Sequence, residues 1–150
     1  MSTKAGFDDI LKRDGFLVYK TRGVSMHPLF KENRDLVTIR PFEGTLKKFD
    51  VPLYRRRDRR FTLHRIIAVR DNDYVIRGDN TFVKEYVPRS DVVGVLTEFK
   101  RKGKNHTVDE TGYRVYVRVW HFIYPLRWVL HKLRRFGGKI KRALKGKTAK

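Results

Sequence analysis

The spacing of hydrophobic positions changes twice along the chain. Phe7, Ile10 and Leu11 fall three and four apart with charges between them, which predicts a short amphipathic helix over residues 6–13, ended near Asp14-Gly15. From Phe16 the pattern becomes strand-like. Residues 16–20, 36–39, 51–55, 61–70, 74–76 and 92–99 are rich in β-branched and aromatic side chains and are separated by turn formers. Arg57-Asp58-Arg59 and Asp71-Asn72-Asp73 read as hairpin tips, so antiparallel meanders are expected. Pro41, Pro52 and Pro88 belong at strand ends or edges, because proline cannot donate to a ladder. After the turn Lys102-Gly103-Lys104-Asn105, residues 113–119 alternate Tyr or Val with Arg, which predicts one more strand. Trp120, Phe122, Ile123, Leu126, Val129, Leu130 and Leu133 then recur at helical spacing. A helix is expected from near Pro125 to Phe136, ahead of Gly137-Gly138. The expected fold is mainly β: an antiparallel domain over residues 1–110 with a short N-terminal helix, then a basic, aromatic strand, amphipathic helix and tail over 111–150.

Charge sharpens that division. The net charge is +20, and residues 111–150 hold 12 of the 36 Lys and Arg with no acid, so +12 falls on the last 40 residues and +8 on the first 110. A basic tail of this kind seeks the phosphates of lipid or nucleic acid, the bland alternative being a solvated surface. The chain has 150 residues, 40% of them hydrophobic and 13% aromatic, enough for a single packed core. It has no cysteine, which excludes a disulfide framework, a thiolate zinc site and a cysteine nucleophile, and suits a reducing compartment. No metal or cofactor is expected. The amino-terminal residues carry acids at positions 8 and 9 and no apolar core of a secretory signal. No charge-free run approaches the roughly 20 apolar residues of a spanning helix. A cytoplasmic protein is expected, with a peripheral position at the inner membrane face as the variant the tail suggests.

Three places in the β region hold residue types that catalysis uses. Ser25 lies in Gly23-Val24-Ser25-Met26-His27-Pro28, between a glycine and a proline, where it is either a turn former or a nucleophile held on a bend. His64 alone of the five histidines lies inside an apolar strand-like run, where strand periodicity puts it on one face with Thr62 and Ile66. Taken alone, such a histidine is a structural residue more often than a base. Asp79 follows in Arg77-Gly78-Asp79-Asn80.

Read in order, these segments resemble the type I signal peptidase and LexA-like serine peptidase superfamily. Gly23-Val24-Ser25-Met26-His27-Pro28 is similar to its G-x-S-M-x-P nucleophile box. Leu63-His64-Arg65-Ile66 resembles the base-bearing box of the Ser-His branch, which includes the archaeal and endoplasmic-reticulum signal peptidases. Arg77-Gly78-Asp79-Asn80 resembles the G-D-N box, and Val92-Val93-Gly94-Val95 the closing V-x-G-x-V strand. The likeness runs from about Gly15 to Lys102. It implies a signal-peptidase/LexA-like β fold, with Ser25 as nucleophile, His64 as general base and Asp79 as the acid that orients the imidazole. It also implies backbone oxyanion donors at Ser25 and Gly23. Met26, Pro28, Arg65, Gly78 and Asn80 take structural roles beside them. Many relatives carry a hydroxyl where this chain has Gly23, and Gly-Asp where it has Phe49-Asp50, which puts that turn in question. His27 adjoins Ser25, but neighbours in extended chain point apart. The integrin-type tripeptide Arg77-Gly78-Asp79 is discounted, because the G-D-N reading accounts for Asn80 as well.

Repressors of this superfamily use lysine and carry a helix-turn-helix domain, and the signal peptidases carry an amino-terminal anchor; a relative with neither is expected here. The implied activity is that of a serine endopeptidase acting on an extended peptide, precursor or leader segment. The alternative is a non-catalytic peptide- or nucleic-acid-binding β domain, with nucleic acid disfavoured because such a module has no need of the three boxes. In the carboxy-terminal segment Trp120, Trp128, Arg127, Lys132, Arg134 and Arg135 are the candidate contacts to an anionic membrane. A hydrophobic stripe alone does not distinguish lipid from the protein's own core.

Overall fold

The computed structural model describes residues 6–134. They divide into two compact units, one ending at Arg114 and the other starting at Val115.

In the first unit, α1 (Phe7–Asp14) stops at Gly15, whose backbone is left-handed. Nine strands follow: β1 (Leu17–Lys20), β2 (Leu36–Arg40), β3 (Pro52–Arg55), β4 (Phe61–Leu63), β5 (Arg65–Val69), β6 (Asp73–Arg77), β7 (Glu85–Pro88), β8 (Val92–Arg101) and β9 (Lys104–Thr107). They form two antiparallel sheets. The larger has the order β1-β2-β8-β3-β4, with β9 also on β8, and the smaller is β5-β6-β7. The mainly β, antiparallel expectation therefore holds.

Alternation explains the larger sheet. In β2, Val37 and Ile39 are buried while Leu36 and Thr38 are half-buried. Burying each such side chain stabilises the fold by about 1.5–3 kcal/mol. Leu46, Tyr54, Ile66, Tyr74, Ile76 and Val87 form a core cluster that draws on both sheets. Both expected hairpin tips are present, joining β3 to β4 and β5 to β6. Pro52 opens β3, Pro88 closes β7 and Pro41 directly follows β2.

Three expectations need correction. Residues 61–70 are two strands in different sheets, broken at His64. Strands β7 and β9 are additional, each short and polar enough to escape a hydrophobic pattern. The strand expected over 113–119 is instead part of α2 (Thr111–Phe122). Its alternating valines have high strand preference, but Val117 alone is buried, and Tyr113 and Trp120, four before and three after it, are among the half-buried positions with Tyr116 and His121. A further helix, α3, covers 124–134, so a helix does begin beside Pro125. Its expected end at Phe136 lies outside the described residues.

Candidate active site

Ser25 stands on a loop pinned at its base and plugged by apolar side chains. The Thr21 amide donates to the Asp35 carbonyl at 3.1 Å, and the Asn33 amide to the Thr21 carbonyl at 3.0 Å. Asp35 is fully buried, accepting from the Lys31 amide and from two nitrogens of Arg34, all at 2.7 Å. Burial alone would raise its pKa; these donors outweigh it and hold the carboxyl below the usual range. Gly23 has φ 77°, a left-handed conformation natural to glycine, which swings the chain into the Ser25 turn. That turn is closed by the His27 amide on the Val24 carbonyl and the Phe30 amide on the Met26 carbonyl. Met26, Leu29 and Phe30 are buried beneath it, and the peptide into Pro28 is cis.

The loop after β6 closes on this turn. The Asn80 amide donates to the Ser25 carbonyl at 2.8 Å and its side-chain nitrogen to the Val24 carbonyl at 3.2 Å. Gly78 makes the approach possible. A methyl group built on it would stand 2.7 Å from the Ser25 carbonyl oxygen and 3.1 Å from both Cδ2 and Nε2 of His64. One backbone position thus touches the Ser25 peptide and the Nε2 edge of the imidazole.

His64 is buried at the point where the chain leaves one sheet for the other: Leu63 pairs with Leu53, and Arg65 with Arg77. The strand position expected for it, and the face shared with Thr62 and Ile66, do not apply across that break. Its Nδ1 lies 3.2 Å from the Tyr54 hydroxyl and 3.2 Å from Glu85 Oε1. Burial lowers the His64 pKa, Glu85 acting in the opposite sense. The ring is therefore neutral at neutral pH.

Asp79 is held by a different partner from the one expected. Arg65 binds both of its oxygens at 2.8 Å, and the same guanidinium reaches the Phe49 carbonyl and the Tyr113 hydroxyl at 3.0 Å each. The carboxylate at Nδ1 of His64 is that of Glu85, a residue no sequence motif marked; the pattern Val83, Glu85, Val87 beside Tyr86 was its only signal. Arg77 and Asp79 are 7% and 6% exposed, so their tripeptide is closed to a receptor.

The oxyanion expectation also changes. The Gly23 amide donates to Glu32 Oε1 at 2.9 Å and is engaged. Among the described residues the Ser25 amide and hydroxyl have no hydrogen-bond partner. Phe49, in the place where the resemblance led to an expected glycine, adopts φ 83°. Its amide donates to the Ile66 carbonyl at 2.9 Å and its carbonyl accepts from Arg65, which fixes the bend despite the side chain.

Ser25 and His64 both line a groove of about 1110 Å³. Its walls include residues of β1 and β4, the two end strands of the larger sheet, each paired on one side only. Successive antiparallel pairings make β1 and β4 parallel to one another. β1 leads into the Ser25 loop and β4 into His64. Phe7 of α1 spans the two, with ring centroids 5.4 Å from Tyr19 and 4.9 Å from Phe61.

In the second unit, Trp120 is half-buried, stacked on Tyr116 at 5.9 Å with Arg127 3.8 Å above its ring. Lys132 sits 4.9 Å over Trp128. Trp128, Lys132 and Arg134 are exposed, and Arg135 lies outside the described residues. No described helix is long and apolar enough to cross a membrane, and no group of three or more His, Asp or Glu among the described residues could hold a metal. No family model matches the chain, and no curated protein matches it.

Proposed function

We propose that this chain is a serine endopeptidase of the signal-peptidase-like kind, with Ser25 as nucleophile and His64 as general base. The observation that carries the reading is the convergence at Gly78, whose backbone separates the Ser25 peptide from Nε2 of His64 with no room for a methyl group. Three segments remote in sequence meet there, and a lone turn-forming serine gives no reason for that.

In this reading the Nδ1–H of His64 is donated to Glu85, which leaves the Nε2 lone pair free. Nε2 takes the Ser25 proton as Oγ attacks the scissile carbonyl, a service worth about 10² to 10⁴ in rate. The tetrahedral oxyanion accepts from the Ser25 amide, a contact of about 3–4 kcal/mol in comparable sites. Collapse breaks the C–N bond, the imidazolium gives its proton to the leaving amine, and an acyl ester remains on Ser25. Water, deprotonated by His64, then cleaves the ester and restores the serine. Glu85 steadies the imidazolium at each transfer. Asp79 acts through Arg65, fixing the loop that carries Gly78. An extended substrate adds to a free edge of β1 or β4 in the groove. The test is digestion of a peptide library with sequencing of new termini: wild type cleaves, and Ser25→Ala and His64→Ala do not. Cleavage by Ser25→Ala would refute the reading, as would nucleic-acid binding without peptide cleavage.

We also propose that the second unit docks on an anionic bilayer. Val115, Val119, Phe122, Leu126, Val129 and Leu133 recur four and three apart and are all exposed, Phe122 at 85%. Arg118, Arg127, Lys132 and Arg134 stand to the sides of that stripe, and no acid follows Glu110. An apolar stripe bordered by cations matches the boundary between acyl chains and anionic headgroups.

A further inference from the structure

The walls of the groove are charged in one sense. Lys20 and Arg22 come from the end of β1 and the residues after it; Arg56, Arg59 and Arg60 come from the tip that leads into β4. The acid in the lining is Glu85, already engaged by His64 and, at 3.2 Å, by Arg56. Arg60 is paired with Asp58. Lys20, Arg22 and Arg59 have no acidic partner among the described residues. Apolar surface lies between these cations, from Phe7, Tyr19, Phe61 and Leu63.

We infer that the groove is specific for acidic peptides, extended segments in which carboxylate side chains alternate with apolar ones. The inference rests on the peptidase reading of Ser25 and His64, and adds the substrate class. Side chains of an extended chain point alternately to opposite sides, so a strand seated between β1 and β4 offers one set to Phe7, Tyr19 and Phe61 and the other to the cations. Arg59 stands at the tip, two residues before β4, and β4 leads directly into His64. An acid several residues from the scissile bond reaches Arg59. Arg22, three residues before Ser25, serves an acid nearer the bond. A neutral or basic segment leaves these cations uncompensated, and a basic one is repelled.

The test uses three matched peptides with the same apolar positions and Glu, Gln or Lys at the alternate ones. Two readouts are taken: kcat/KM with the wild-type protein, and binding to Ser25→Ala by fluorescence anisotropy. An exposed charge contact contributes a factor of about two to five in affinity. The Glu peptide is therefore expected to exceed the Gln peptide by about tenfold in both readouts and the Lys peptide by more. The preference should shrink with added salt, and fall towards unity in Lys20→Gln/Arg59→Gln. Equal handling of the Glu and Gln peptides overturns the inference while leaving the peptidase reading standing. Selective binding of the Glu peptide without cleavage supports the acidic groove and counts against the peptidase.

Discussion

Arg65 and Asp79 form a buried two-pronged ion pair, both contacts 2.8 Å and both side chains 4% exposed. The pair ties the start of β5 to the loop that carries Gly78. Burial alone would lower the Arg65 pKa, but Asp79 and Tyr113 outweigh it and raise it, so the guanidinium stays charged. Removing one partner strands the other charge, at about 3–5 kcal/mol. Asp79→Asn is therefore expected to lower the thermal midpoint sharply and lose activity along with the fold. Glu85→Gln, at a partly exposed site, should keep the midpoint and lower kcat about 10²-fold. Thermal melts and kinetics of the two variants, side by side, check this; the reverse pattern would return the orienting role to Asp79.

The pH dependence follows from the burial of His64. Its folded pKa lies below the unfolded value of about 6.5, so the unfolded chain binds more protons just below that pH. The contribution to stability is present above pH 6.5 and is lost as pH falls below it. In the peptidase reading, activity should persist to lower pH, until His64 itself is protonated in the folded protein. Denaturant midpoints across pH 5–8 should decline on the acid side in the wild type, and that decline should shrink in His64→Gln.

Gly78→Ala tests the convergence. The added methyl meets a backbone oxygen at 2.7 Å, which cannot swing aside as a side-chain tip would. Overpacking of this kind destabilises by about 1–3 kcal/mol, and it forces Ser25 and His64 apart. A folded Gly78→Ala protein with kcat reduced at least about 10²-fold is expected; unchanged kcat would show that the closeness at Gly78 is incidental.

Membrane docking is checked by sedimentation with phosphatidylserine-containing vesicles, against phosphatidylcholine alone. The full chain should pellet with the anionic vesicles in low salt, and Phe122→Asp/Leu126→Asp should remain in solution. Equal pelleting of both proteins, or a wild-type dimer that the variant cannot form, would refute lipid as the occupant of the stripe.

Much of the fold was legible where burial is one-sided. Val37 and Ile39 alternate with less buried neighbours, and turn residues punctuate the hairpins, so β1, β2, β3, β6 and β8 emerge from residue type and turns, while β4 and β5 read as one run. His64 was legible as a residue but not as a position, because an uninterrupted apolar run does not reveal that the chain changes sheets within it. Glu85 was hidden for a related reason: its strand is short and polar, and its role depends on where β7 lies beside His64. Residues 113–119 misled because the alternating valines favour strands, whereas in α2 Val117 is buried and Val115 and Val119 lie on the exposed side. The Gly23 amide could not be read at all, since its acceptor, Glu32, meets it only through the fold of the loop.

The central claim is tested most directly by trapping the acyl-enzyme. An activated ester of an acidic, extended peptide is mixed with the protein and quenched in acid, and the protein mass is measured and mapped by digestion. The expected result is one acyl group on the peptide containing Ser25, formed slowly in His64→Ala and absent in Ser25→Ala. No adduct on the wild type, or an adduct that survives Ser25→Ala, would contradict a Ser25 nucleophile.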